Sequence, residues 1–427
     1  MKPLAAALGG LAVIGACSDA LTAEMPVVAP HNTWTVTVAS EVRYYSWRGD
    51  RGSPTTVNTA PGKGSELYIP FAAQLAGNPG NDFKVQFLAR GGWVRASQST
   101  AGLTGSVETF IDTVGTGTIT YLGINGIQPF VALSVNAPTG KSALFGAAAN
   151  ARMDPDLVEV GSFGEGWNVG PSTGFNLPLN PSLIFTASVG YTWRYSFDRE
   201  RSSAQPDPTL QAATSVDPGD VLTVTAAIGY QGGPWTFNLT GSWSKETATQ
   251  ENGADLYQAG QRYLGSASVS YLWPKAWGQT TVNASATHSN RNKVLYLGAS
   301  TLVTEAFNTN SDLYRVNAQH LFLVGQHLAF GPTGSYLYRN HNSYDPGTLQ
   351  FVPAKERWAA GGLARYAVND SVTINLRGER VWTREADRIA PGGQQFSVLA
   401  NAFVAALGVP VVSSTGWMVS GGANVKF

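Results

Sequence analysis

The chain has 427 residues, and its 28 Lys and Arg balance its 28 Asp and Glu, so the formal net charge is zero. This balance excludes the basic surplus of a nucleic-acid-binding protein, and an aromatic content of 11% argues against disorder. A single Cys excludes a disulfide scaffold and any Cys-based zinc or iron–sulfur site. The charged fraction is only 13%, and the chain has 48 Gly, 12 Trp and 16 Tyr. This composition is typical of a transmembrane β-barrel.

The N-terminus is predicted to be a targeting signal. Lys2 precedes an apolar run over 4–16 that is too short to span a bilayer, as in a secretory signal peptide. Cleavage is expected after Ala20 or Ala23, and Ala23 gives a signal peptide over 1–23. The alternative is that the residues ending at Cys17 (IGAC) resemble the lipobox of bacterial lipoproteins, which would leave Cys17 lipidated. No later run is apolar enough for a spanning helix.

The rest of the chain alternates between apolar and polar residues, which indicates β-strands with one apolar and one wet face. The segments 34–44, 183–195 and 235–244 show this pattern most clearly. It would also suit a soluble all-β sandwich. Segments of 11–14 residues favour tilted membrane-spanning strands over the usual ~5–6 residues of soluble sheets.

The predicted fold is an all-β, antiparallel, up-and-down transmembrane barrel of about 16 strands. It occupies 33–427, after a short periplasmic segment over 24–32. The predicted strands are 33–47, 65–75, 83–96, 117–123, 129–136, 166–176, 183–195, 220–230, 235–245, 262–273, 277–288, 312–323, 328–339, 357–367, 372–383 and 416–427. An error over 117–136 would give 14 strands, and a further pair over 396–412 would give 18.

The connections alternate in length, as expected for short periplasmic turns and long extracellular loops. The long connections are 48–64, 97–116, 137–165, 196–219, 246–261, 289–311, 340–356 and 384–415. With an even number of strands, both termini are expected in the periplasm. The connections over 137–165 and 384–415 are candidates to fill the lumen, and the apolar run 143–151 is suited to lining a constriction.

Aromatic residues gather at the ends of the apolar faces, as expected for girdles at the membrane interfaces. The predicted girdle residues are Trp34, Trp93, Trp193, Trp235, Trp243, Trp273 and Trp417, with Trp382 in the same pattern. The last strand alternates up to Phe427, which resembles the assembly signal of bacterial outer-membrane proteins. The barrel-assembly machinery is therefore an expected partner of this strand.

The wet faces carry more basic than acidic residues, which favours anionic or electronegative permeants. The predicted lumen-lining residues are Arg43, Lys84, Arg90, Arg194, Arg315, Arg339, Arg365, Arg377 and Glu379. The alternative is that the arginines pair with Glu41, Glu379 or loop carboxylates and only hold the wall together. Arg377 and Glu379 lie two residues apart on one face and are able to pair with each other.

Two stretches carry a family resemblance: VALSVNAPTGKS over 131–142 and the Gly-rich approach to a strand pair over 161–194. They resemble the bacterial outer-membrane transporter family assigned to the meta-cleavage (MetA) pathway of phenol degradation, a distant relative of fatty-acid and toluene transporters. The resemblance implies passage of small hydrophobic or aromatic compounds. The long N-terminal plug of fatty-acid transporters is missing, so their hatch mechanism is not expected, and no binding residue carries over.

An enzyme is not predicted. His288 and His320 fall on the outward face of neighbouring strands at different heights, and nothing resembles a nucleophile elbow. Neither a metal-spacing cluster nor a phosphate loop is present in the sequence, so no metal or cofactor is expected.

The predicted function is uptake of small molecules, hydrophobic or aromatic and compatible with anions, across the outer membrane of a Gram-negative bacterium. The alternatives are a general diffusion porin and a structural or adhesion barrel whose loops bind partners. The expected partners are outer-membrane lipid and the permeant, without nucleic acid; the permeant's identity and the oligomeric state stay open.

Overall fold

The computed structural model describes residues 34–51, 57–100, 102–200, 213–274, 277–296, 299–346, 348, 350–387, 394–397, 402–405 and 411–427. The predicted signal peptide, the lipobox at Cys17 and the periplasmic segment over 24–32 lie outside these residues. No helix in the described ranges is long and apolar enough to cross a membrane.

The described chain is built almost entirely of strands. In order they are β1 (Trp34–Arg51), β2 (Val57–Gly77), β3 (Phe83–Thr100), β4 (Leu103–Phe110), β5 (Thr113–Tyr121), β6 (Gln128–Ala137), β7 (Asn168–Asn180), β8 (Leu183–Arg194), β9 (Phe197–Glu200), β10 (Ala213–Asp217), β11 (Val221–Gly232), β12 (Trp235–Glu246), β13 (Thr249–Glu251), β14 (Ala254–Gln258), β15 (Arg262–Leu272), β16 (Gln279–Ser289), β17 (Lys293–Val294), β18 (Val303–Thr304), β19 (Leu313–Val324), β20 (Leu328–Arg339), β21 (Lys355–Ala367), β22 (Val372–Glu385), β23 (Gln394–Ser397), β24 (Ala402–Ala405) and β25 (Val412–Lys426). A short 3-10 helix, Gly146–Ala151, lies between β6 and β7.

Sixteen strands form one closed antiparallel barrel, with β4 as an extra strand of the same sheet. Each barrel strand pairs with the next one along the barrel, and β1 pairs with both β2 and β25, which closes the ring. Closure leaves no edge strand to aggregate. The predicted 16-strand transmembrane barrel is confirmed. The pair expected over 396–412 has its counterpart in β23 and β24, which pair with each other in a separate sheet.

The loops predicted over 48–64 and 97–116 were wrong. Strand β1 continues to Arg51 and β2 begins at Val57, while β3 runs to Thr100 and turns back into β4. The alternation of apolar and polar residues fades there because those strand ends pass the apolar band. Backbone pairing needs no apolar face, so hairpins continue where the sequence pattern stops.

The short connections contain the turn chemistry that the sequence indicates. Gly126 and Gly233 adopt φ values of 84° and 56°, which favour glycine. The Asn369 carboxamide accepts backbone hydrogen bonds from Ser371 and Val372 at 2.9 and 2.8 Å. These turns set the register of the hairpins that they join.

The opposite end of the barrel holds a second sheet that the sequence analysis did not predict. Strands β9, β10, β13, β14, β17 and β18 form it, and they lie in the long connections after β8, β12 and β16. The connection between β20 and β21 reaches toward it: the Ser343 amide donates to Asn308 at 3.0 Å, and Phe307 packs on Tyr344 at 5.4 Å. Ordered structure therefore extends the β8–β19 side of the barrel beyond its rim.

Candidate functional site in the barrel lumen

The connection between β6 and β7 folds into the barrel, and residues 138–167 are called the lumen loop here. Its neck is held by Asp112, whose carboxylate accepts hydrogen bonds from the Gly140 amide at 3.0 Å and the Glu165 amide at 2.7 Å. A Cβ at Gly140 would lie 1.8 Å from the Phe163 carbonyl oxygen. Only glycine therefore lets the two stems of the loop approach so closely.

The body of the lumen loop packs against the inner face of β1–β4 in an apolar cluster. The buried members are Tyr45, Trp47, Tyr68, Val94, Ala96, Val107, Leu144, Ala151, Met153, Leu157, Val158, Val160 and Phe163. Trp47 donates its indole N–H to the Met153 sulfur at 3.1 Å. Burying this much apolar surface makes the loop a packed part of the structure. The run 143–151, predicted to line a constriction, supplies Leu144 and Ala151 to the cluster.

Polar contacts fix the register of the loop on the same wall. Glu66 is fully buried, and its Oε1 accepts the amides of Glu159 and Val160 at 3.0 Å each. The Glu159 carboxylate in turn accepts from Arg43 and from the Tyr45 hydroxyl. These hydrogen bonds offset part of the free-energy cost of removing the carboxylate oxygens from water.

The tip of the lumen loop reaches a different wall. Lys355, at the start of β21, is 3% exposed, and its Nζ lies 2.6 Å from Asp154 and 2.9 Å from Asp156. Glu385 on β22 lies 3.7 Å from the same ammonium, and Arg339 on β20 lies 4.0 Å from Asp156. This buried ion cluster joins two loop carboxylates to three neighbouring strands of the wall.

The neck and the tip of the lumen loop attach at points half of the circumference apart, and the body between them lies against β1–β4, which adjoin β22 through β25. In the closed ring, β6 and β7 are the fifth and sixth strands, whereas β20 and β21 are the thirteenth and fourteenth of sixteen. The neck and the tip are thus eight strands apart, half of the circumference. A 16-strand barrel is wide enough for an aqueous interior, and the loop occupies the part of it beside β1–β4 and β20–β22.

The loop tip is favoured in its ionised form. Burial raises the pKa of the Asp156 carboxyl, but the Lys355 ammonium and two guanidiniums outweigh this effect, and the pKa lies below its ordinary value. The guanidiniums are those of Arg339 and Arg357.

Arginines form a stripe down the inner wall beside the loop tip. Arg315 on β19 is level with Leu337, which is level with Arg357 on β21. Arg365 lies eight residues further along β21, or roughly 27 Å at the rise of a strand. The Nε atoms of Arg339, Arg357 and Arg377 are buried and have no hydrogen-bond partner in the described part of the chain. We call Arg315, Arg339, Arg357, Arg365 and Arg377 the arginine stripe.

The structure brings together only some of the predicted lumen residues. Arg377 donates to the buried Glu379 at 2.7 Å, and Arg43 pairs with Glu41 at 2.8 Å, as the structural alternative expected. Arg194 lies at the far end of β8 near Glu246, at 3.4 Å. Lys84 and Arg90 lie on β3, away from the stripe.

Sequence analysis missed two basic residues of this wall. Lys355 had been assigned to the loop over 340–356, and outside a strand the alternation of residues does not indicate which face a side chain occupies. Arg357 shares the phase of Arg365 and was detectable from that spacing.

The wall that adjoins the arginine stripe on the β12–β19 side is polar and uncharged at mid-height. Asn238, Ser268, Asn283 and Asn317 lie level on four adjacent strands, opposite in phase to the exposed Leu239, Val282 and Val316. Amide and hydroxyl groups of this kind are well hydrated. The inner wall is therefore polar and neutral over β12–β19 at mid-height and becomes basic over β19–β22.

The outer face of the barrel exposes large apolar side chains along its circumference. Examples are Phe71, Val131 and Leu376, whose side chains are 40%, 56% and 56% exposed. The predicted girdle tryptophans share this face. Trp34, Trp235 and Trp273 lie near the short turns, and Trp193, Trp243 and Trp417 lie toward the other end, as does Trp93. Phe427 is exposed, and its backbone pairs with Val36 across the closing seam.

The two outward histidines lie apart. His288 contacts Asp312 at 2.6 Å, and His320 contacts the Thr280 hydroxyl at 2.8 Å. Because Thr280 and His288 are eight residues apart on β16, the two sites are separated by roughly 27 Å along the strand. The described residues bring together no group of three or more His, Cys, Asp and Glu side chains able to hold a metal ion.

No family model and no curated protein matches the chain, so the predicted resemblance stays a prediction. Similar solved structures include Pseudomonas aeruginosa OccK7 (OpdD), at 10% identity and a TM-score of 0.42, covering 92% of this chain and 99% of that one. A BenF-like porin from Pseudomonas fluorescens Pf-5 shows 13% identity and a TM-score of 0.40, with 90% and 97% covered. An anion-selective porin from Comamonas acidovorans shows 11% identity and a TM-score of 0.39, covering 92% of this chain and 100% of that one. At these TM-scores the likeness supports no conclusion about function.

Proposed function

We propose that the chain is an outer-membrane channel of a Gram-negative bacterium through which small hydrophilic solutes, anions preferentially, cross the part of the lumen that the loop leaves free. The apolar outer face suits lipid contact, and the wet inner wall suits an aqueous path. The described contacts show no catalytic arrangement on which a reaction is proposed.

One observation carries the preference for anions. Among the described residues, the buried Nε–H groups of Arg339, Arg357 and Arg377 have no protein acceptor, and the adjoining wall carries no charge at mid-height. A buried donor that lacks an acceptor is costly, so water or a passing anion must satisfy it. Arginine donates paired hydrogen bonds to carboxylate and phosphate oxygens in bidentate geometry, so organic acids are the class of anion that fits best. The hydrophobic or aromatic permeant implied by the family resemblance is less well matched to this lining, although an aromatic carboxylate satisfies both.

The test is the reversal potential of the purified protein in a planar bilayer under a KCl gradient. We expect steady current with chloride preferred over potassium, and a smaller preference in the double variant Arg315→Gln, Arg357→Gln. The matched control is Arg380→Gln, because Arg380 lies on the outer face, 5.1 Å over the Trp417 ring, and removes the same charge away from the lumen. Cation preference in the unaltered protein, or an equal change in the control, would contradict the assignment.

A further inference from the structure

We propose that Arg339, Arg357 and Thr383 form a binding site for an organic carboxylate on the inner wall of β20–β22. The inference rests on the proposed function, since the bound carboxylate is a permeant that pauses in the channel. Binding is measurable without a current, so the site and the channel are tested separately.

Three buried polar atoms without a partner lie on these neighbouring strands. They are the Nε atoms of Arg339 and Arg357 and the Oγ1 atom of Thr383, none of which has a hydrogen-bond partner among the described residues. Arg357 lies directly opposite Thr383 in the sheet, and Arg339 is two residues from Leu337, which lies opposite Arg357. Directly opposed Cβ atoms are about 4.5–5.5 Å apart and diagonal ones about 7–8 Å. The three atoms therefore border one small patch of the wall.

This coincidence indicates a ligand that the protein itself does not supply. Buried polar atoms in folded proteins nearly always have a hydrogen-bond partner, and here three on one patch have none. The edge of a guanidinium donates two parallel hydrogen bonds to a carboxylate. A hydroxyl donates a further one, and a carboxylate has lone pairs for all of them. One carboxylate is thus able to satisfy Arg357 and Thr383 together, with Arg339 beside it.

The carboxylates of the protein near this patch are engaged elsewhere. The Lys355 ammonium holds Asp154 at 2.6 Å, Asp156 at 2.9 Å and Glu385 at 3.7 Å. Arg339 reaches Asp156 through Nη1 at 4.0 Å, which leaves its Nε free of that contact.

Arg357 lies within the field of another cation. The positive charge of Arg315 acts on it, as do the more distant negative groups Asp156, Glu379 and Tyr45. Within the described chain, neither Arg315 nor Arg357 forms an ion pair with a carboxylate. A bound anion relieves the repulsion between the two guanidiniums, so the patch favours a negative ligand over water.

The patch is reached from the lumen on the β19 side. Arg315 is exposed there, in the opposite phase to the outward Tyr314 and Val316, and it is level with Leu337 and Arg357. Thr383 at the other end is only 8% exposed. A permeant is therefore expected to meet Arg315 first and to lose water as its carboxylate moves to Arg357 and Thr383.

The test is calorimetric titration of the detergent-solubilised protein with sodium benzoate at constant ionic strength, after subtraction of the heat from detergent alone. We expect saturable binding at one site. Thr383→Val removes the hydroxyl without changing the shape of the side chain, and it should weaken binding about tenfold or more, because a hydrogen bond to a charged group is lost. Its hydroxyl has no partner in the described structure, so the barrel itself should stay as stable as before.

The matched control is Thr225→Val, which should bind benzoate like the unaltered protein. Thr225 is also 8% exposed, and it lies on β11, in opposite phase to the outward Val224 and seven strands away from β22 around the ring. A third variant, Arg357→Lys, keeps the charge but loses the paired donors, so it should also weaken binding. Heat-dependent gel mobility shows whether each variant still forms the barrel.

An absence of saturable binding would mean that water alone fills the patch, and it would overturn the inference even in a protein that conducts anions. Equal affinity in Thr383→Val and the unaltered protein, or equal weakening in Thr225→Val, would overturn it as well. Sodium phosphate is titrated in parallel, and binding of phosphate without binding of benzoate would contradict the assignment to carboxylates. A protein that binds benzoate at this site but passes no current would contradict only the channel.

Discussion

Trp47 is a buried member of the apolar cluster that lies between the barrel wall and the lumen loop. It is 4% exposed, it contacts Met153, and a Cβ at Gly64 would lie 2.4 Å from its indole nitrogen. The large ring fills the space between β1, β2 and the loop. A smaller side chain would leave a cavity that the closed barrel wall cannot collapse to fill, because its backbone is paired on both sides.

Trp47→Ala is accordingly expected to loosen the loop, with a cost of about 3–5 kcal/mol for a buried large-to-small change. The measurement is limited trypsin digestion at Arg152, which lies in the loop with its guanidinium 5.7 Å over the Phe163 ring. Cleavage should be much faster in Trp47→Ala than in the unaltered protein. Trp34→Ala is the control, since Trp34 is 48% exposed on the outer face. Equal cleavage in both variants would show that Trp47 does not anchor the loop.

Among the connections between strands, the lumen loop folds into the barrel and contacts the inner faces of β1–β4 and of the adjoining β20–β22. Its tip carries Asp156, whose pKa lies below its ordinary value because Lys355 outweighs burial. A depressed pKa in the docked state means that docking is favoured while the carboxylate is ionised. The contribution is therefore fully present above the ordinary carboxyl pKa and is lost as the pH falls through the lowered value.

The conductance is thus expected to stay constant at neutral pH and to change only in acid, below the ordinary carboxyl pKa, where the docked Asp156 carboxylate takes up a proton. The groups that face the titrating carboxylate are Asp154, Arg339, Lys355, Arg357 and Glu385. Conductance recorded against pH checks this expectation. In Asp156→Asn the acid step should shrink, and a full-sized step in that variant, or a step near neutral pH, would assign the titration to another group.

At the scale of the whole molecule, closure and the exposed apolar face determine behaviour in solution. The barrel has no free edge within its sheet, because β1 and β25 pair over thirteen register positions from Thr37 to Gly49. Large apolar residues face outward where a soluble sheet would carry polar ones. An exposed apolar surface of this extent requires lipid or detergent.

We therefore expect the protein to need detergent for extraction and to migrate on gels as a compact form in SDS until it is heated. The reason is that unfolding must open a continuous ring of backbone hydrogen bonds in a single step. The measurement compares heated and unheated samples by mobility and by far-ultraviolet circular dichroism. A chain that stays monomeric and soluble without detergent would contradict the membrane assignment.

The alternation of apolar and polar residues was enough to predict the sixteen barrel strands and the face to which their side chains point. Lipid on one side and water on the other impose a period of two over the whole apolar band, and this signal is local. Arg315, Arg365 and Arg377 could be assigned a direction for that reason. The two-residue period ends where the strands leave the apolar band. The outer ends of β1–β4 and the second sheet were therefore not predicted.

The way the lumen loop attaches to the barrel depends on contacts between segments that are distant in the chain. Lys355 and Asp154 are 201 residues apart in the chain, and nothing in either local pattern indicates the other. Their contact depends on the closure of the ring, which places β21 opposite the connection between β6 and β7. Closure also turned Glu66 from a wall carboxylate into an acceptor for loop amides, because a buried polar group takes whichever partner the fold brings within reach.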